Sequence, residues 1–207
     1  MDIKKQAFKA TAQTIIKWLE KRNMEGLYFE TAADAVNAAL AMMPEGCVVA
    51  HGGSTTLAET GMLDALKNGN YTLIDRAAQN TRENYAKAIL SDYYFMSSNA
   101  ITVKGELVNI DGNSNRVGCL CHGPSHVMMF VGMNKVAADV ESAIKRIRTY
   151  ACPANAIRLN HTTPCAIAGV CGECLLDECF CNQIVITRRS GHKGRIKVFL
   201  IGEELGF

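Results

Sequence analysis

Short apolar runs that alternate with helical patterns constrain this chain more than any other feature. Cys47-Val48-Val49-Ala50 contains no polar residue, and Leu27-Tyr28-Phe29, Tyr71-Thr72-Leu73-Ile74 and Tyr93-Tyr94-Phe95-Met96 are nearly as apolar. A strand that is apolar on both faces must be covered on both, which is the situation inside a parallel sheet. Helical patterns lie between these runs. Phe8, Ile15, Ile16 and Leu19 recur at three- and four-residue steps over residues 3–22. Thr31 caps a helix predicted over Ala32–Met43, which Pro44-Glu45-Gly46 ends; further helices are predicted over Thr55–Ala65 and Thr81–Leu90. Strand–helix alternation of this kind calls for a mostly parallel sheet with helices on both faces.

After residue 98 the pattern changes. Ala100–Val103 and Glu106–Ile110 flank Lys104-Gly105 as a hairpin-like pair, with strand-like runs at Val117–Cys121 and Val127–Val131. A long helix is predicted over Val136–Arg148, with Val140, Ile144 and Ile147 on one stripe. Near the end, Ile184–Thr187 and Arg195–Ile201 read as a second hairpin around Ser190-Gly191-His192-Lys193-Gly194. The 207 residues suit a single α/β domain over 1–207, with a cysteine-rich loop at 160–182 inside it.

Composition narrows the partners. A net charge of +2 gives no basic field for nucleic acid, and no apolar run approaches the ~18 residues of a membrane span. The opening residues, MDIKKQAFKATAQTIIKWLEKRN, lack the apolar core of a signal peptide, so a cytoplasmic location is expected. In that reducing compartment clustered cysteines bind metal or do redox chemistry more often than they form bridges.

Five of the nine cysteines crowd the tail. Cys165, Cys171, Cys174 and Cys181 are spaced C-x5-C-x2-C-x6-C, with Cys179 beside the last, among Pro164, Gly169 and Gly172. Thiols this close on a tight loop can converge on one centre, an iron–sulfur cluster of the 4Fe-4S type or zinc. Free thiols or reversible disulfides are the plainer reading. Cys47, Cys119, Cys121 and Cys152 lie in apolar stretches and read as small buried hydrophobes.

Several polar clusters sit where strands should end. His51-Gly52-Gly53-Ser54-Thr55-Thr56 leaves a buried strand and opens a helix, so exposed amides and hydroxyls could hold a phosphate or carboxylate; a plain helix cap is the alternative. Glu59, one turn on, is either a general base or half of a solvated ion pair. Asn109-Ile110-Asp111-Gly112-Asn113-Ser114-Asn115-Arg116 carries more polar groups than a turn needs. In it Asp111 is the acid–base candidate, and Arg116, Asn113 and Asn115 are candidate ligand contacts. Asn99 and Lys135 follow strands and join the same expected pocket. Pro124 keeps His122 and His126 from forming a helical metal pair, and His161 is at most a substitute ligand.

The blocks GGSTTLAETG (52–61), DYYFMSSNAITVKGELVNIDGNSNRV (92–117), VGMNKV (131–136), CPANAIRL (152–159), TPC (163–165) and IGEELGF (201–207) resemble the LUD-domain proteins, named for lactate utilisation, across nearly the whole chain. The resemblance implies a Rossmann-like three-layer α/β fold similar to ribose-5-phosphate isomerase, glucosamine-phosphate deaminase and CoA transferases. It implies a part in oxidation of a small 2-hydroxy acid such as lactate, with iron–sulfur partner subunits. It also implies Cys181 as the fourth metal ligand, with Cys179 as the competing choice. There is no GxGxxG fingerprint for a nicotinamide cofactor. Two other functions stay open: a stand-alone isomerase, hydrolase or transferase on a phosphorylated or CoA-linked metabolite with structural zinc, and a non-catalytic redox-sensing module. A homodimer is open as well.

Overall fold

The computed structural model describes residues 2–75 and 81–207. The chain opens with α1 (Ile3–Lys21), β1 (Glu25–Phe29), α2 (Ala32–Ala41), β2 (Val48–His51), α3 (Thr55–Glu59), α4 (Met62–Asn68) and β3 (Thr72–Ile74). α5 (Arg82–Ile89), β4 (Tyr93–Met96), β5 (Ala100–Thr102), β6 (Leu107–Asp111), α6 (Asn115–Cys121) and β7 (His126–Gly132) follow. The last third holds β8 (Val136–Ala137), α7 (Val140–Arg146), α8 (Cys152–Arg158), α9 (Pro164–Ala168), β9 (Gln183–Thr187) and β10 (Ile196–Ile201).

Six strands form an all-parallel sheet in the order β1-β10-β7-β4-β2-β3. Strand alternation divides its side chains between two cores. Tyr94 and Met96 of β4, Val127, Met129 and Val131 of β7, and Val198 and Leu200 of β10 face one side, under Ala12, Ile15 and Leu19 of α1. Tyr93 and Phe95, Met128 and Phe130, and Phe199 and Ile201 face the other, under Ala35 and Ala39 of α2 and Leu57, Met62 and Leu66 of α3 and α4. The fold is therefore a Rossmann-like three-layer α/β arrangement. Phe199 stacks between Phe29 and Phe130, with ring centroids 5.8 and 4.9 Å away.

A second, four-stranded sheet runs β8-β5-β6-β9. β5 and β6 form the expected antiparallel pair, turned at Gly105, whose φ of 76° suits glycine. Ala100, Val108 and Ile110 pack this sheet on Ala143 of α7 and on Ile147, Ala151 and Cys152.

Four expectations change. Val117–Cys121 is helix α6 and not a strand, because the Asp111 carboxylate accepts the amides of Asn113, Ser114 and Val117 at 3.1, 3.0 and 3.3 Å and seeds the first turn. The helix read over Thr55–Ala65 breaks at Gly61, with φ at 77°, into α3 and α4. The helix read from Val136 starts at Val140, because Asp139 caps Ser142 at 2.8 Å while Val136 pairs with β5. Through a π-turn at Ile147–Ala151 the chain then continues into α8. Finally, Ile184–Thr187 and Arg195–Ile201 form no hairpin: β9 pairs with β6, and β10 lies between β1 and β7 in the other sheet. Among the described residues no helix is long and apolar enough to cross a membrane.

Candidate functional site

β2, β4 and β7 run parallel, so their C-terminal ends open on one edge of the sheet, where crevices form in such folds. The loops leaving β2, β4 and β7 meet there the turn after β6, the start of α8 and the residues after β10, around a cavity of about 270 Å³. Gly53, Ser54, Thr55 and Thr56 line it, as do Asn99, Asp111, Asn113 and Asn115, with Arg116 and Lys135. Gly52 stands just behind the wall: a Cβ there would lie 2.9 Å from the Tyr94 hydroxyl and 3.2 Å from Arg116 Cγ. A side chain at that position would push the two apart.

Arg116 is occupied by the protein itself. Its Nη1 donates to Asn109 Oδ1 at 2.6 Å and Ser97 O at 3.2 Å, and its Nη2 to Ile110 O at 2.8 Å and Asn99 Oδ1 at 2.9 Å. The remaining Nε lies 3.5 Å from Asp111 Oδ2. All five donors of the fork face partners, so the guanidinium braces β6 against the end of β4. Asp111, 7% exposed, gives both carboxylate oxygens to the turn amides and to Arg116. Ser54 likewise serves as a cap, accepting Leu57 N at 3.2 Å, on a helix only five residues long. Asn115 accepts the Arg116 amide at 2.8 Å and donates to Tyr85 Oη at 3.4 Å.

Lys135 is different. It sits in a single 3-10 turn after β7, 4% exposed, and its Nζ donates to Thr56 Oγ1 at 2.7 Å and to Ser97 Oγ at 3.1 Å. No carboxylate among the described residues lies within ion-pairing distance of it. Burial lowers its pKa from 10.5 to about 7, helped by the nearby charges of Arg146 and Arg116 and opposed by Glu59. The sequence flags Lys135 as a cation after a strand. Its burial and its hydroxyl partners come only from the packing of β4 and α3 around it.

The residues after β10 cross this region. Gly206, with φ at 58°, passes so close that a Cβ would lie 2.5 Å from Thr56 Oγ1 and 3.2 Å from Lys135 Nζ. Glu59 is not part of the cavity wall. Its carboxylate accepts the Gly206 amide at 2.6 Å, and it lines a separate, more open groove beside Arg146 and Tyr150. Phe207, Phe180, Cys152 and Asn155 also line the cavity; the sequence placed none of them in a pocket and marked Cys152 only as a buried hydrophobe, since nothing local marks residues that loops bring in from elsewhere.

The tail cysteines lie apart from this wall except at one point. Cys165 is buried in α9, and residues 171–182 contain no helix or strand. Among the described residues no group of three or more His, Cys, Asp or Glu side chains is arranged to hold a metal ion. As they stand, Cys165, Cys171, Cys174 and Cys181 do not form the four-sulfur cage that a cluster or zinc requires. Cys181 Sγ instead lies 3.4 Å from Cys152 Sγ. The Cys181 thiol is pushed well above its ordinary value, first by this hydrogen bond and then by burial.

A parallel six-stranded sheet between helical layers, with a polar cavity at its strand ends, defines a Rossmann-like α/β protein. The chain belongs to the LUD-domain family, whose model matches residues 12–201. In fold it is similar to a DUF162 family protein from Deinococcus radiodurans, with a TM-score of 0.54 and 11% identity over 94% of this chain and 98% of that one. A weaker similarity, to eIF2B delta from Chaetomium thermophilum, has a TM-score of 0.38 and 15% identity over 55% of this chain and 50% of that one. No curated protein sequence matches.

Proposed function

We propose that the protein binds a small anionic metabolite, a carboxylate or phosphate, in the cavity, and that it takes part in the oxidation of a small 2-hydroxy acid such as lactate. One observation carries the first half: Lys135 is buried at the cavity wall without a carboxylate partner. An ammonium removed from water is costly, and hydroxyl dipoles from Thr56 and Ser97 offset only part of that cost. An anion in the cavity offsets the rest. Arg116 does not compete for this role, since its donors are committed, and it adds positive potential from behind. A cavity of about 270 Å³ suits a metabolite of a few carbon atoms better than a nucleotide. Membership of the LUD-domain family supports the second half.

Calorimetry with lactate, glycolate, pyruvate and inorganic phosphate tests the reading. Binding of at least one of these that is lost in Lys135→Met supports it; no binding, or binding unchanged by the substitution, overturns it.

The same lysine favours one other reading. An amine that titrates at about 7 exchanges protons at neutral pH, as a general base in an isomerase or transferase must. Sugar phosphates and CoA esters in the same calorimetric series discriminate it, through solvent-deuterium incorporation into whichever compound binds.

A further inference from the structure

We propose that Cys152, in the cavity wall, and Cys181, just behind it, form a reversible dithiol–disulfide pair in which Cys152 is oxidised first and Cys181 resolves it. The two sulfurs are 29 residues apart in the chain and 3.4 Å apart in space. Cys152 opens α8 and borders the cavity while being 6% exposed. Cys181 comes from the loop that precedes β9, and its neighbour Phe180 borders the same cavity. That loop is held by Phe180 against Gly112, where a Cβ would meet Phe180 Cβ at 3.0 Å, and by Asn182 Nδ2 donating to Gly112 O at 3.0 Å. The sulfurs are thus delivered to each other by two separately anchored elements. A bond between them needs only a small closing movement, because a disulfide holds its sulfurs about 2 Å apart. Cys181 packs against the same apolar cluster as Cys152, Ile147 and Ala151, and apolar packing by itself does not require the two sulfurs to meet at 3.4 Å from a helix and from a loop without helix or strand.

The chemistry is a two-electron oxidation by a hydroperoxide small enough to enter the cavity. The Cys152 sulfur takes one peroxide oxygen: an S–O bond forms, the O–O bond breaks, and the other oxygen leaves with the thiol proton, as water from hydrogen peroxide or as the alcohol from an organic hydroperoxide. The Cys181 sulfur then attacks that sulfenic acid. The S–S bond forms, the S–O bond breaks, and the hydroxyl leaves as water with the Cys181 proton. Two thiols and one hydroperoxide become one disulfide and water, or water and an alcohol; two equivalents of a small thiol reverse the bond by exchange and leave as their own disulfide. The cross-link ties α8 to the loop carrying Phe180, so both cavity walls are fixed by one bond. This inference stands without the anion-binding reading, because its chemistry needs only the sulfurs and their access.

The experiment is full-length protein purified without oxygen, treated with one equivalent of hydrogen peroxide, and mapped by peptide mass spectrometry. Wild type is expected to yield a linked peptide joining Cys152 to Cys181, reversed by dithiothreitol. In Cys181→Ser, dimedone is expected to label Cys152 as the trapped sulfenic acid, and Cys152→Ser should yield neither product. Any other first pairing, such as Cys179 with Cys181 or Cys171 with Cys174, overturns the proposal. So does dimedone on Cys181 in place of Cys152, iron or zinc retained through Cys181, or the absence of any cross-link. If either variant fails to fold, the pairing found in wild type decides alone.

Discussion

Lys135 and Thr56 are 79 residues apart in the chain, yet Nζ and Oγ1 are 2.7 Å apart. Their hydrogen bond joins the turn after β7 to the first turn of α3 across the open edge of the sheet. It also fixes where the buried lysine of the cavity wall points. The tail at Gly206 passes over both groups, so cation, hydroxyl and covering backbone form one packed unit.

Replacing Lys135 by Met removes the buried ammonium and keeps most of its packing volume. Anion affinity is expected to fall by about 10- to 100-fold, the worth of a charge-assisted hydrogen bond. Thermal stability at pH 6.5 should stay level or rise, because the desolvated charge is gone. Calorimetry and a melting curve on the same samples check both, and a lower melting temperature with intact binding would count against the assignment.

Lys135 also sets a pH dependence. In the unfolded chain the amine protonates near 10.5, and in the folded protein at about 7. Between those values the unfolded state holds more protons, so this group makes stability rise with pH from about 7 to about 10.5. Below about 7 both states are protonated, and its contribution is flat and least favourable. The full span is at most a few kcal/mol. Urea midpoints from pH 6 to 10, compared between wild type and Lys135→Met, isolate the effect, since other groups cancel in the difference. Anion binding should take up protons above pH 7 for the same reason.

Arg116→Lys replaces a five-donor fork by a point charge. Asn99, Asn109, Ile110 and Ser97 then lose most of their donors in a buried setting, with an expected cost of about 2–4 kcal/mol. The urea midpoint reads this directly. A midpoint equal to that of wild type would show that the guanidinium is free for a ligand.

Gly206→Ala tests the tail. The positive φ and the 2.5 Å approach to Thr56 Oγ1 leave no room for a methyl group. Residues 205–207 should lift away, raising amide exchange at Gly206 and altering anion affinity, while the sheet keeps its protection. Amide hydrogen exchange distinguishes the outcomes.

Metal and sulfide analysis of protein prepared without oxygen tests the iron–sulfur or zinc site expected from the cysteine spacing. Stoichiometric iron and sulfide held by the tail cysteines would support an electron-carrying role, and would require the loop to draw together. Stoichiometric zinc would leave it a structural staple.

The sequence by itself determined the strands and the layers. Val48–Ala50, Tyr93–Met96 and Val127–Val131 are apolar on both faces, and only a sheet covered on both sides gives such runs a solution, so their neighbours in the chain had to become its helices. Thr31 and Thr81 marked their helix starts because a cap is a contact within a few residues. Tertiary structure decided what depends on partners far along the chain. Val117–Cys121 became helix because the Asp111 carboxylate captured the amides of Asn113, Ser114 and Val117 at its start, and β9 and β10 parted because β9 pairs with β6 while β10 fills the gap between β1 and β7 in the other sheet. In the sequence Lys135 and Arg116 look alike as cations near turns, and Cys152 reads as one more small buried hydrophobe. Only packing left the first buried with hydroxyl partners and no carboxylate, braced the second on all sides and set the third against Cys181, because burial and pairing are properties of a three-dimensional neighbourhood.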